Sequence, residues 1–186
     1  MDDLFEWIAF VVASLAIVYI SRRSLFKPRS HGFYRFFAWE CILALILLNL
    51  DGWFREPWAW HQVLSWAMLL VSFIPLVFGV QSLVARGKAT AQREGEEQLL
   101  AFEKTTALVT DGIYRYIRHP LYSSLLLLAW GAFLKAPGWL GGLLLAGATL
   151  ALVATARADE AECKRFFGEA YGEYMKRTKM FVLYIV

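Results

Sequence analysis

The chain has little with which to staple or metallate a fold: two cysteines, Cys41 and Cys163, and three histidines in 186 residues. Cys41 sits in an apolar run and Cys163 in a polar segment, so a structural disulfide between them is not expected. His31, Cys41, His61, His119 and Cys163 show no metal-ligand spacing, and no metal is expected. There is no Walker loop, dinucleotide glycine fingerprint or nucleophile elbow, no repeat and no low-complexity stretch. Neither a nucleotide-cleaving machine nor a nucleic-acid partner is expected.

Charge is missing where a soluble bundle would need it. Hydrophobic residues make up 59% of the chain and fall into long blocks rather than at amphipathic spacing. A hydrocarbon core of ~30 Å requires ~20 apolar residues in a helix. Five segments approach that length, near 4 to 20, 36 to 50, 60 to 84, 120 to 135 and 138 to 156. The last two carry no charge before Lys135 and Arg157. The second and fourth are short and borrow interfacial aromatics such as Phe36, Trp39, Tyr122 and Trp130. Pro75 in the long third segment predicts a tilt or kink. The expected fold is all-α: a single polytopic membrane domain over residues 1 to 186, with about five transmembrane helices.

The first segment opens with Asp2, Asp3 and Glu6, acidic where a removable signal would be basic, and is followed by Arg22 and Arg23. Of the 19 Lys and Arg residues, all but Arg55 and Lys135 fall in connections on one side. The positive-inside rule then places the N-terminus outside and the C-terminus in the cytoplasm. The expected location is a bacterial inner membrane or its equivalent.

Two polar segments, residues 85 to 119 and 157 to 186, bracket the hairpin of the last two spans. The first contains a helix-compatible run from Glu94 to Lys104 and ends in a turn signal, Thr110-Asp111-Gly112. The second places Phe166, Phe167, Ala170, Tyr171 and Tyr174 at spacings of three or four, the pattern of an amphipathic helix interrupted by Gly168 and Gly172.

Chemistry concentrates at Arg118-His119-Pro120-Leu121-Tyr122. Pro120 suits the first position of a helix, and His119 before it is turned away from helical geometry. A helix start offers partial positive charge to a carboxylate or phosphate. Arg118 alone reads equally as a topology flank, and Tyr114 or Tyr122 as interfacial aromatics. Asp159, Glu160 and Glu162 lie at the unfavourable end of a helix dipole. A ligand ammonium or ribose would explain them, as would pairing of Glu160 with Arg157 or Lys164. Arg157 is a candidate grip for an anionic substrate. Glu40 lies one turn inside the second span and is a candidate for substrate contact, or snorkels to the interface with Arg35.

Residues 108 to 122, Leu-Val-Thr-Asp-Gly-Ile-Tyr-Arg-Tyr-Ile-Arg-His-Pro-Leu-Tyr, resemble the signature of the isoprenylcysteine carboxyl methyltransferase and phospholipid methyltransferase group of membrane enzymes. Asp159-Glu160, Phe167-Gly168, Tyr171 and Tyr174 resemble the acids, Phe-Gly and tyrosines that close those proteins. The resemblance covers about residues 100 to 178. It implies an S-adenosylmethionine site built from residues 100 to 122 and 155 to 178, with a lipid or prenylated acceptor entering from the bilayer. Carried over residue by residue, the cofactor contacts fall on Thr106, Ala107, Leu108, Val109, Tyr114, His119, Pro120, Leu121, Tyr122, Asp159 and Glu160.

An amine or thiol acceptor must lose a proton, for which His119 and Glu160 are the candidate catalytic groups; a carboxylate acceptor needs no base. The family's Arg before the second acid is displaced here, with Thr155 in its place and Arg157 two residues later. Phe181-Val182-Leu183 stands where the family tends to carry a terminal proline. The leading expectation is carboxyl methylation of an isoprenylcysteine-like or other lipid-like substrate. N-methylation of a phospholipid headgroup is the second, and a non-enzymatic subunit or transporter on the same scaffold the third.

Overall fold

The computed structural model describes residues 3–88 and 105–181. The run from Glu94 to Lys104, the first residues of the expected 100 to 122 site segment, and Val182-Leu183 lie outside the described residues. Among the described residues there are six α-helices, with two short 3-10 turns between them: α1 (Asp3–Leu25), α2 (His31–Leu48), α3 (Trp60–Arg86), α4 (Pro120–Phe133), α5 (Trp139–Phe167) and α6 (Glu169–Lys176). Helices α1, α2, α3 and α5 are long and apolar enough to cross a membrane. The all-helical membrane fold stands. Helix α4 has 14 residues, about 21 Å at ~1.5 Å per residue, and falls short of a full crossing.

Helix α1 lies at the edge of the bundle and presents Leu4, Trp7, Val12 and Leu15 outward. Its hold on α2 includes a hydrogen bond from Ser14 to the Glu40 carboxylate. Arg35 instead stacks over the Trp39 ring at 4.9 Å. Glu40 thus ties two helices together through one carboxylate oxygen, a polar contact of the kind that joins helices in lipid. The core forms where Ala148, Leu152 and Ala156 of α5, one turn apart and fully buried, meet Ala38, Ile42 and Leu45 of α2. The small side chains among them, Ala148, Ala156 and Ala38, let the helix backbones approach closely, which in lipid replaces the hydrophobic drive of a soluble core.

The α3–α4 contact is equally close. A Cβ on Gly79 would lie 2.9 Å from Leu121 Cδ1 and 3.1 Å from Pro120 Cγ. Only a bare backbone there lets the start of α4 lie against α3, whose helix runs on through Pro75. Gly79 is seven residues before Arg86, so the α4 start is sunk about 10 Å below that end of α3. At 27 residues, or about 40 Å, α3 exceeds the ~30 Å hydrocarbon core by a similar amount.

At the opposite end, polar side chains close the loops. Gln62 Nε2 donates to the carbonyls of Gly52 (2.8 Å) and Lys135 (3.0 Å), and Lys135 Nζ donates back to Gln62 Oε1 (3.1 Å). Lys135 is 1% exposed, with its ammonium 3.7 Å from the Trp66 ring centre. Asn49 Nδ2 donates to Ala132 O and Ser65 Oγ to Gly131 O.

Two boundaries differ from the sequence expectation. The helix of the last expected span does not stop near 156, because α5 continues to Phe167. Its charged stretch ends the hydropathy signal, but Ala, Glu, Lys and Arg are good helix formers. Phe166 and Phe167 accordingly belong to α5 rather than to the terminal amphipathic helix. The break falls at Gly168, whose φ of 60° and ψ of −136° suit glycine alone. Helix α6 then turns back so that Tyr171 and Tyr174 are buried.

Candidate functional site

The cleft lies where the start of α4, the charged end of α5, the first turn of α2 and α6 converge. Pro120 is the first residue of α4 and His119 its N-cap, with φ −123° and ψ 64°. A short parallel bridge pairs Ile117 with Lys179. The Arg118 and His119 amides donate to the carbonyls of Lys179 (2.7 Å) and Met180 (3.1 Å). Ser123 Oγ donates to Phe181 O at 2.7 Å. The tail after α6 thus clamps the backbone of the Arg-His-Pro junction, and Phe181 lies with its ring centre 6.2 Å from that of His119.

His119 is 5% exposed, stacked on Tyr122 at 5.3 Å between ring centres, and flanked by two acids. Its Nδ1 is 3.4 Å from Asp159 Oδ2 and its Nε2 3.4 Å from Glu160 Oε1. The second approach is one of charge rather than a formed hydrogen bond. Burial works against protonating the ring, but the two carboxylates outweigh it and raise His119 above the usual imidazole value. Burial likewise pushes the Asp159 carboxyl up. The opposing pull of His119, His31 and Cys163 is larger and holds it well below the ordinary range.

Glu160 is also held low against its burial, by His119 and Arg118. Arg118 Nε donates to Glu160 Oε1 at 2.7 Å, and the far end of its guanidinium reaches the carbonyls of Met175 and Thr178. Arg118 is therefore more than a topology flank, and the partner of Glu160 across the fold is Arg118 rather than Arg157 or Lys164. Asp159 accepts from Tyr122 Oη at 3.3 Å and from Cys163 Sγ at 3.6 Å. Of the two acids, Asp159 lines the cleft and Glu160 stands behind His119.

The remaining expected residues divide in two. Leu108, Val109, Tyr114, Pro120, Leu121 and Tyr122 line the cleft with His119 and Asp159. Thr106 and Ala107 do not: both amides donate to Gly87 O, and Thr106 Oγ1 donates to Lys88 O, fastening the strand of chain to the end of α3. Arg157 is exposed, and Thr155 is buried with its hydroxyl on Ala151 O. Neither lines the cleft, and Glu40 is at the α1–α2 contact instead. Among the described residues no group of three or more His, Cys, Asp and Glu is placed to hold a metal ion.

Some lining residues were not among the cofactor contacts carried over from the resemblance. Tyr171 and Tyr174 form a wall; Tyr174 Oη donates to Tyr114 O at 2.7 Å, docking α6 on the segment before α4. Burial pushes both phenols up, with Cys163, Asp159 and Glu160 adding to the effect at Tyr171, so both stay neutral. His31 enters from the first turn of α2. Its amide and Nδ1 meet the Glu162 carboxylate at 3.0 and 2.6 Å, across 131 positions of sequence. No local signal announces that pair.

Comparison with curated proteins and with solved structures returns no match. The family model described as Phospholipid methyltransferase matches residues 75–174, from mid-α3 into α6, a stretch that contains His119, Asp159 and most of the cleft. With more than half of its 186 residues in that match, the chain belongs to the phospholipid methyltransferase family, membrane methyltransferases that act on lipid-like substrates.

Proposed function

We propose that the protein uses S-adenosylmethionine to methylate a lipid-like amine that reaches the cleft from the bilayer. The observation that carries this reading is the convergence of His119, the α4 start and Asp159 beside Tyr114, Tyr122 and Tyr171 in one cleft. The donor set fits the cofactor. His119 and the helix start suit a carboxylate, Asp159 an ammonium or ribose hydroxyls, and the aromatic rings an adenine or sulfonium. When bound, the cofactor would supply an electrophilic methyl. The protein's task is then to align the acceptor with it and exclude water.

Of the two acceptor chemistries expected from the sequence, we favour the amine. Asp159 lines the cleft, while Arg118 and Glu162 are engaged by Glu160 and His31 and Arg157 is outside. An incoming carboxylate would meet that acid, whereas an ammonium would be drawn in. The orientation that suits a cytosolic cofactor puts the cleft on the basic side, with the N-terminus outside and the C-terminus in the cytoplasm. A single membrane domain holds the whole site.

The test is calorimetric titration of the purified protein in detergent with S-adenosylhomocysteine, followed by incubation of labelled cofactor with native membranes. Saturable binding and a base-stable lipid label are expected. Lack of binding would defeat the reading, and a label released as methanol by base would replace the amine with a carboxylate.

A further inference from the structure

We propose that His31, held by Glu162, is the base that takes the proton from the acceptor amine. The inference rests on the methyltransferase reading above and concerns a residue that lies outside the matched segment. An ammonium has no lone pair, so it must be deprotonated before it can attack a methyl group. The groups nearest to hand are unsuited. His119 has a carboxylate facing each ring nitrogen, Asp159 at Nδ1 and Glu160 at Nε2, and Glu160 is itself engaged by Arg118. Tyr171 and Tyr174 remain neutral phenols.

His31 is differently placed. It is 1% exposed by residue surface yet lines the cleft, and a carboxylate with 8% exposure grips Nδ1 at 2.6 Å. A carboxylate on Nδ1 fixes the tautomer with the proton there, which leaves Nε2 the basic nitrogen and stabilises the imidazolium once it forms. The His31 amide bonds the other Glu162 oxygen at 3.0 Å, so the carboxylate is oriented by backbone as well as by ring. Ser30 caps the same helix start by accepting from Phe33 N–H, which makes the Glu162 contact an addition to a cap already present.

In the proposed step the acceptor ammonium gives its proton to His31, with Glu162 balancing the new charge. The freed amine lone pair then forms the N–C bond as the methyl's C–S bond breaks, and that bonding pair stays on sulfur. The product is a methylated ammonium and a neutral thioether; the proton on His31 leaves to water before the next turnover.

The experiment uses full-length protein in detergent–phosphatidylethanolamine micelles, with wild type, His31→Ala and His31→Gln. Both variants keep the His31 backbone N–H for Glu162, and Gln also keeps a side-chain donor. Both should bind S-adenosylhomocysteine within about twofold of wild type by calorimetry while kcat drops about 100-fold or more with KM little changed. Added imidazole should restore part of the rate to His31→Ala, which a merely structural role would not allow. Wild-type kcat in either variant would overturn the inference and leave the methyltransferase reading standing. Failure of wild type itself to bind S-adenosylhomocysteine or to methylate the amine lipid would remove both.

Discussion

Arg118 Nε lies 2.7 Å from Glu160 Oε1, joining residues 42 positions apart, and both side chains are about nine-tenths buried. The pair binds the segment before α4 to α5 and stands directly behind His119. Removing one partner of a buried ion pair strands the other charge, which costs about 3–5 kcal/mol. Arg118→Ala should lower the unfolding midpoint in detergent accordingly. Arg118→Lys should recover only part of the loss, because a point charge cannot span Glu160 and the Met175 and Thr178 carbonyls at once. The double variant Arg118→Ala/Glu160→Ala should be less damaged than the two single losses added together.

His119 and Asp159 set opposite limits on pH stability. The His119 pKa is raised on folding, so its contribution is complete below the unfolded imidazole value of ~6.5 and is lost as pH climbs through the folded value. Asp159 is depressed, so its contribution is complete above its unfolded value of ~3.9 and is lost as pH falls through the folded one. Both contributions are whole between about pH 4 and 6.5. Thermal unfolding followed across pH should show His119→Gln flattening the alkaline limb and Asp159→Asn the acid limb. Variants with unchanged limbs would refute the coupling.

Gly168 and Gly172 should respond in opposite directions to alanine. Both have open space where a Cβ would go, so neither change clashes. Gly168 has positive φ at the α5–α6 break, and alanine there costs about 1–3 kcal/mol and loosens the docking of Tyr171 and Tyr174. Gly172 is inside α6, where alanine gains up to about 1 kcal/mol. Unfolding midpoints and protease cleavage after α5 distinguish the two.

Lys135 offers a control at the far end of the bundle. Lys135→Ala removes the hydrogen bond to Gln62 and the ammonium over Trp66, an arrangement worth about 2 kcal/mol when desolvated. Stability should fall by that order, while affinity for S-adenosylhomocysteine should match wild type. A weakened affinity would mean that the loop closure there reaches the cleft.

Long uncharged runs gave away the membrane helices, and Pro120 announced the start of α4, because hydropathy and proline geometry act within a few residues. The continuation of α5 past Arg157 was hidden by the same reliance on hydropathy, since charged residues end an apolar run without ending a helix. The Ile117–Lys179 bridge joins the two motif segments through backbone atoms, which carry no side-chain code. His31 and Glu162 meet only because α2 packs along α5.

By itself the sequence determined that the chain is an all-helical membrane protein, that its polar chemistry gathers around His119 and Asp159-Glu160, and that these motifs resemble a methyltransferase group. Only the tertiary structure decided which acid meets the cleft. Consecutive residues on a helix point about 100° apart. The seating of Ala148, Leu152 and Ala156 against α2 sets the rotation of α5. That rotation turns Asp159 and Glu162 into the cleft and Glu160 toward Arg118. Rotation about a helix axis comes from packing between distant segments, a property that no local stretch of sequence carries.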